Sequence, residues 1–185
     1  MGMPIQKLTL AEYIEWENAQ PDRNEYVRGE VFAMVGGRRS HGRVVSNLNR
    51  RLSEAVEGTS CQVFCESMKL QVAADSILYP NVFVTCDRDD LRTEQVFKSP
   101  IVVVEVLSPS TQAYDRGLKF VLYRGLPSLR EYVLIDVDAR RVDAFRVGTD
   151  GLWVLHDMSG LASLAIPAID ATIAMTEVFA GVDAA

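Results

Sequence analysis

The chain reads as an α/β or α+β domain built on a mixed sheet, and three patterns support that reading. Helical and strand signals alternate along it as helix, strands, helix, strand, the mark of mixed layers. Val44, Val45, Leu48, Leu52, Ala55 and Val56 recur at helical spacing, an apolar stripe facing a core. Four consecutive β-branched residues, Ile101 to Val104, lead through Glu105 to Val106 and Leu107. Such a run reads as a central strand buried on both faces.

The elements follow in order. Thr9-Leu-Ala-Glu12 matches a capping box, so a short helix is expected over 10–17. Residues 24–28 and 30–35 flank Gly29 as a hairpin, which Gly36-Gly37 breaks. A second helix starts after Ser40 and stops at Gly58. Residues 61–66, 69–72 and 81–85 read as strands, and 87–98 as a charged loop. Ser108-Pro-Ser-Thr111 makes a turn and cap before a third helix, with Tyr114, Leu118, Val121 and Leu122 on its buried side. Strands are expected over 131–136, 141–147 and 153–156, and a helical turn over 175–179. The unit spanning 101–136 should be a parallel, right-handed strand–helix–strand crossover.

With 185 residues, 48% of them hydrophobic and 24% charged, the chain reads as one domain, 1–185, of ordinary globular composition. No apolar run approaches the ~20 residues of a membrane span. Residues 1–7 lack the apolar core of a signal peptide, so a cytoplasmic location is expected. A net charge of −6 argues against nonspecific, charge-driven binding of nucleic acid. Arg38, Arg39, Arg43, Arg50 and Arg51 cluster locally, and their ordinary reading is a solvated helix face. Cys61, Cys65 and Cys86 suit a reducing compartment and read most simply as core residues. Cys61 and Cys65, roughly 13 Å apart along one strand, cannot bond to each other. With His41 and His156 the only histidines, a Cys/His zinc site is not expected.

Glu105 carries the chemistry. Burying its charge alone would cost several kcal/mol, so a metal ion, a lysine or a raised pKa must neutralise it. The ordinary reading is a strand-end residue or a structural ion pair. For a divalent cation, which takes one or two carboxylates and fills its remaining positions with water and phosphate, Asn81 on the neighbouring strand is the natural second ligand. Lys119, on the following helix, would reach the scissile phosphate.

Tyr79-Pro-Asn-Val82, Val103-Val-Glu-Val-Leu-Ser-Pro-Ser-Thr111, Tyr114-Asp-Arg-Gly-Leu-Lys119 and Glu131-Tyr132…Asp136 resemble the Uma-two family of bacterial endonucleases. Asn24-Glu-Tyr-Val-Arg-Gly-Glu30 and Ser40-His41 resemble its N-terminal motif. The resemblance spans roughly 25–136. It implies a restriction-endonuclease-like fold of the PD-(D/E)XK superfamily, with a core of helix, three strands, helix, strand over about 41–136. An N-terminal helix and hairpin precede that core, and further strands follow it. It also implies a nuclease dependent on Mg2+ or Mn2+, with nucleic acid, DNA first, as partner. Asn81 and Glu105 take the metal-ligand positions and Lys119 the catalytic lysine.

Two departures stand out. Position 81 is Asn where the family pattern has Asp, and Leu107 stands where the superfamily lysine would be. The ordinary alternative for Lys119 is a surface pair with Asp115 at i, i+4. Glu30 and His41 are weaker site candidates; their ordinary readings are a hairpin surface residue and a polar helix start. Glu25 is weaker still, and Tyr123 reads as packing. The alternative function is a degenerate module of the same fold that binds nucleic acid or protein without cutting. A homodimer, formed through the hairpin edge or the strands after Glu131, is a further expectation.

Overall fold

The computed structural model describes residues 8–34 and 36–183. The stretch 1–7 and Val35, the expected end of the second hairpin strand, lie outside the described residues. Helix α1 (Leu10–Asn18) opens on the expected capping box: the Glu12 N–H donates to Thr9 Oγ1, and Glu12 Oε2 accepts the Thr9 N–H at 2.8 Å. Strands β1 (Asn24–Val27) and β2 (Glu30–Ala33) form the hairpin. Its two turn residues, Arg28 and Gly29, both have positive φ, 52° and 85°, as a tight primed turn requires. Helix α2 (Arg39–Ala55) buries Val44, Val45, Leu48 and Leu52 as the stripe predicts.

Next come β3 (Gln62–Cys65), β4 (Lys69–Ala73), β5 (Ser76–Leu78), β6 (Val82–Thr85), β7 (Val96–Phe97) and β8 (Pro100–Leu107). Helix α3 (Gln112–Tyr114), a π turn (Asp115–Lys119) and α4 (Phe120–Tyr123) then follow without a break. β9 (Glu131–Asp136), β10 (Arg141–Val147), β11 (Trp153–Asp157), the hairpin β12 (Ser163–Ile166) and β13 (Ala171–Ala174), and α5 (Met175–Val178) complete the order.

Six strands form the main sheet in the order β11-β10-β9-β8-β6-β3. Strands β8 and β9 are parallel, as the crossover requires, and the other pairs are antiparallel. Along this sheet α2, β3, β6, β8, the α3–α4 helix and β9 trace helix, three strands, helix, strand, which is the restriction-endonuclease-like core. A second sheet, β2-β1-β5-β4-β7, holds the N-terminal hairpin. Strands β5 and β7 and the β12–β13 hairpin carry no strong period in the sequence. Strand β7, two residues long, lies inside the stretch expected to be a charged loop.

Alternation along β8 sorts the layers. Val102, Val104 and Val106 pack with Val44, Leu48 and Leu52 of α2. Val103 and Leu107 face the other way, against Leu70 and Leu78 of the second sheet and Leu122 and Tyr123 of α4. Each such side chain contributes about 1.5–3 kcal/mol on burial. Glu105 shares the parity of Val103 and Leu107, so it points away from α2 into the layer between the two sheets.

The cysteines differ from expectation. Cys61 and Cys86 form a disulfide, and Cys65 is the free thiol. Cys61 immediately precedes β3 and Cys86 immediately follows β6. The antiparallel register, Gln62 opposite Thr85, brings them face to face across 25 residues of chain. Cys61 does pack against the core, but spacing along one strand says nothing about a partner on the next, which is why the bond to Cys86 is not legible in the sequence.

Candidate active site

Glu105 is 2% exposed, and a lysine neutralises it. Lys119 Nζ lies 3.1 Å from Glu105 Oε1, 2.9 Å from Glu25 Oε1 and 3.3 Å from Asp115 Oδ1. The Tyr123 hydroxyl donates to Glu105 Oε1 at 2.8 Å, and the Asn81 N–H donates to Oε2 at 3.2 Å. Lys119 is itself 6% exposed, so it is no surface partner of Asp115. Its ammonium also lies 5.4 Å from the centre of the Tyr114 ring, within cation–π range.

Four elements supply these groups. Strand β8 presents Glu105 by its alternation. The π turn presents Asp115 and Lys119, and α4 presents Tyr123. Wide turns of this kind re-aim side chains and recur at functional sites. Strand β1 presents Glu25. Its neighbour Tyr26 turns the other way and stacks on Tyr13 of α1 at 4.8 Å, while Val27 joins the central layer. Glu25 shares Val27's parity and so reaches Lys119.

Helix α1 holds β1 in place. Buried Glu17 accepts the Asn24 N–H at 2.9 Å, Asn24 Nδ2 at 3.0 Å and the Tyr79 hydroxyl at 2.8 Å.

The electrostatics follow from three carboxylates sharing one ammonium in a buried space. Burial pushes the Glu105 carboxyl up to about 7; Lys119 opposes that rise, Asp115 and Glu25 add to it, and the Tyr123 hydrogen bond lowers it again. Burial alone would depress Lys119, but Glu105, Glu25 and Asp115 overcome it and hold the ammonium charged well above its usual range. Burial, with Glu105 next in weight, keeps the Tyr123 phenol protonated.

Asn81 stands beside this cluster. Besides donating its N–H to Glu105, it accepts the Val106 N–H on Oδ1 at 2.8 Å. Its side chain thus extends the β6–β8 ladder by one bond just past Pro80. An amide does this at no charge cost, but it spends one lone pair of the oxygen a metal would use. The carboxylates of Glu25 and Asp115 face Lys119; beside Asn81, lone pairs for a cation are offered by Glu105 Oε2, already holding one N–H, and by Asn81 Oδ1. Among the described residues no three His, Cys, Asp or Glu side chains form a group suited to a metal ion. This donor set fits only a cation that completes its shell with water and substrate phosphate.

The structure therefore gathers three of the sequence-predicted residues, Glu105, Lys119 and Asn81. Glu30 lies on the same face of its sheet as Glu25, two pairs along the register at Val27. His41 stands on the first turn of α2, beside Gly37, and α2 packs against the opposite face of the main sheet. Neither Glu30 nor His41 is among the hydrogen-bond or ion-pair partners of Glu105. Glu25 and Tyr123, given little weight from sequence, are direct members. A carboxylate beside a tyrosine in a four-residue strand offered one usable signal, its parity with Val27.

This arrangement of a strand glutamate, a helix lysine and a proline-led neighbouring strand on a three-strand core defines a restriction-endonuclease-like, PD-(D/E)XK-type domain. The chain belongs to the Uma2 family, described as "Putative restriction endonuclease", whose match covers residues 10–176. It is 34% identical over 179 residues to uncharacterized protein slr1290 of Synechocystis sp., covering 96% of this chain and 94% of that one. It is 31% identical over 156 residues to uncharacterized protein sll1609 of the same organism, covering 83% and 88%. In fold it is similar to a crystal structure from Anabaena variabilis described as a putative nuclease belonging to DUF820. There the TM-score is 0.77 at 17% identity, over 93% of this chain and 97% of that one. Among the described residues no helix is long and apolar enough to cross a membrane.

Proposed function

We propose that this chain is a nuclease hydrolysing phosphodiester bonds, with Glu105, Lys119 and Asn81 as its central groups. The observation that carries this reading is the Lys119 ammonium held 3.1 Å from Glu105 in a pocket of three carboxylates. A permanently charged ammonium suits the charge that develops on phosphate oxygens at the transition state. A carboxyl near 7 suits taking a proton from an attacking water at neutral pH. Glu105 Oε2 and Asn81 Oδ1 would hold Mg2+ or Mn2+, which when bound polarises a phosphate and acidifies water. Tyr123 and Glu25 orient the carboxylate and the ammonium. This reading takes DNA as substrate, the cytoplasm as location and a homodimer as assembly. Glu30 and His41 enter it as outer groups toward a bound phosphate.

A second reading is a degenerate member that binds nucleic acid or a protein partner without cutting. Two observations favour it. Asn81 brings no charge and spends one lone pair on Val106, and the Glu105–Lys119 pair is closed to solvent. Cleavage of supercoiled plasmid in Mg2+ and in Mn2+ separates the two readings. The nuclease reading expects nicking by the native chain that Glu105→Ala abolishes and Asn81→Asp increases. Activity only in Asn81→Asp would identify a scaffold disabled at one ligand. Silence from all three would remove the DNA-nuclease reading.

A further inference from the structure

We infer that β11 is the interface of a two-fold homodimer, joining two six-stranded sheets edge to edge. The interface specifies the homodimer of the proposed function and is independent of any catalysis.

Strand β11 ends the main sheet, and among the described residues its outer edge pairs with no strand. Such an edge is a template for another strand, and proteins usually blunt it with charge, proline or a covering loop. Here it is apolar. Of the six large apolar side chains left exposed among the described residues, Leu152, Val154 and Leu155 lie on or beside this strand at 64%, 51% and 47%. Val121 of α4 shares a groove with Leu152 and Trp153, and Leu161 follows just after the strand.

Backbone parity identifies the register. Gly148 donates to the Leu152 carbonyl and Met158 donates to the Val142 carbonyl. Even-numbered residues of β11 therefore turn their peptide groups toward β10. Trp153, Leu155 and Asp157 turn theirs outward, as alternation in an antiparallel ladder requires. An antiparallel copy centred on Leu155 matches outward groups with outward groups: Leu155 with itself, Trp153 with Asp157 of the second copy. The patch is self-complementary, which a closed two-fold contact demands.

Charge selects this centre over neighbouring ones. Directly opposed residues share a face of the sheet. Trp153 lies on the helix side, 5.8 Å from the Phe120 ring, and Arg124 lies over that same ring at 5.6 Å while lining the groove with Trp153. Among the described residues Arg124 has no ion-pair partner. Asp157 of the second copy, set opposite Trp153, would bring a carboxylate to that guanidinium, and symmetry would make the contact twice.

Sedimentation velocity of the full chain across a concentration series tests this. The expected species is twice the 20.5 kDa chain. Leu155→Lys should give a monomer with an unchanged circular-dichroism spectrum, because two ammonium groups would meet on the axis. Arg124→Glu should weaken the dimer about tenfold, from two exposed charge contacts, and adding Asp157→Arg should restore it. A native monomer at every concentration overturns both the interface and the homodimer. A dimer that survives Leu155→Lys overturns the interface alone. A double charge reversal that fails to restore association overturns the register.

Discussion

Replacing Glu105 with Gln should change how the fold's stability depends on pH, and in one direction only. The side chain keeps its shape and loses its titration. In the unfolded chain the carboxyl ionises near its ordinary 4.5, whereas in the folded protein burial pushes it up to about 7. Below 4.5 both states hold the proton, and the contribution of Glu105 to stability is complete. As the pH rises toward 7 the unfolded state gains ionisation that the folded state resists, so the native protein loses stability relative to the variant. Above 7 both states are ionised and the difference is constant. At about 1.4 kcal/mol per pH unit, the span from 4.5 to about 7 corresponds to a loss of about 3 kcal/mol. Urea unfolding of native and Glu105→Gln protein, at a series of pH values from about 4 to about 8, measures it. The native curve should fall relative to the variant across that window. A difference that stays the same at every pH would refute the reasoning, because it would mean the carboxyl titrates alike in both states.

Three further outcomes follow from the same contacts. Lys119→Met leaves Glu25, Glu105 and Asp115 buried without a cation, and should cost about 3–5 kcal/mol near neutral pH. Thermal melts should show a smaller loss in acid, where protons replace the ammonium. Glu17→Ala strands the Tyr79 hydroxyl and two Asn24 donors in the interior and should cost on the order of 3 kcal/mol. Its urea midpoint should drop, whereas a change at exposed Glu15 should leave the midpoint in place. Cys61→Ala with Cys86→Ala opens a loop of 25 residues and should cost about 3 kcal/mol under oxidising conditions. The same pair of changes should have no effect once reductant has opened the bridge in the native chain.

Much of the site was legible locally, and the reason is physical. A charged residue in a β-branched run is a conflict visible within eight residues, and it marked Glu105. The proline-led strand marked Asn81, and the helix after β8 marked Lys119. The wider π turn that aims Lys119 inward left no trace in the apolar spacing, so a surface pair with Asp115 stayed open as an alternative. The place of His41 relative to Glu105 is not legible locally for a related reason. It begins the helix beside the sheet, but nothing local says which face of β8 that helix covers.

The sequence by itself determined the local elements, the capping box of α1 and the stripe of α2, which rest on interactions between residues a few positions apart. It also determined the parallel β8–β9 crossover, through the handedness of strand–helix–strand units, and the order of the core, through the order of its elements. Only the tertiary structure decided the partners. Glu25 neutralises nothing within its own hairpin; it meets Lys119 because β1's pleat and α1's grip on Asn24 aim it into the layer where β8's opposite parity sends Glu105. Cys61 meets Cys86 only through the β3–β6 register. Local preference settles what each segment becomes. The choice among distant partners waits for packing, because only a closed interior makes an unpaired charge costly enough to specify one.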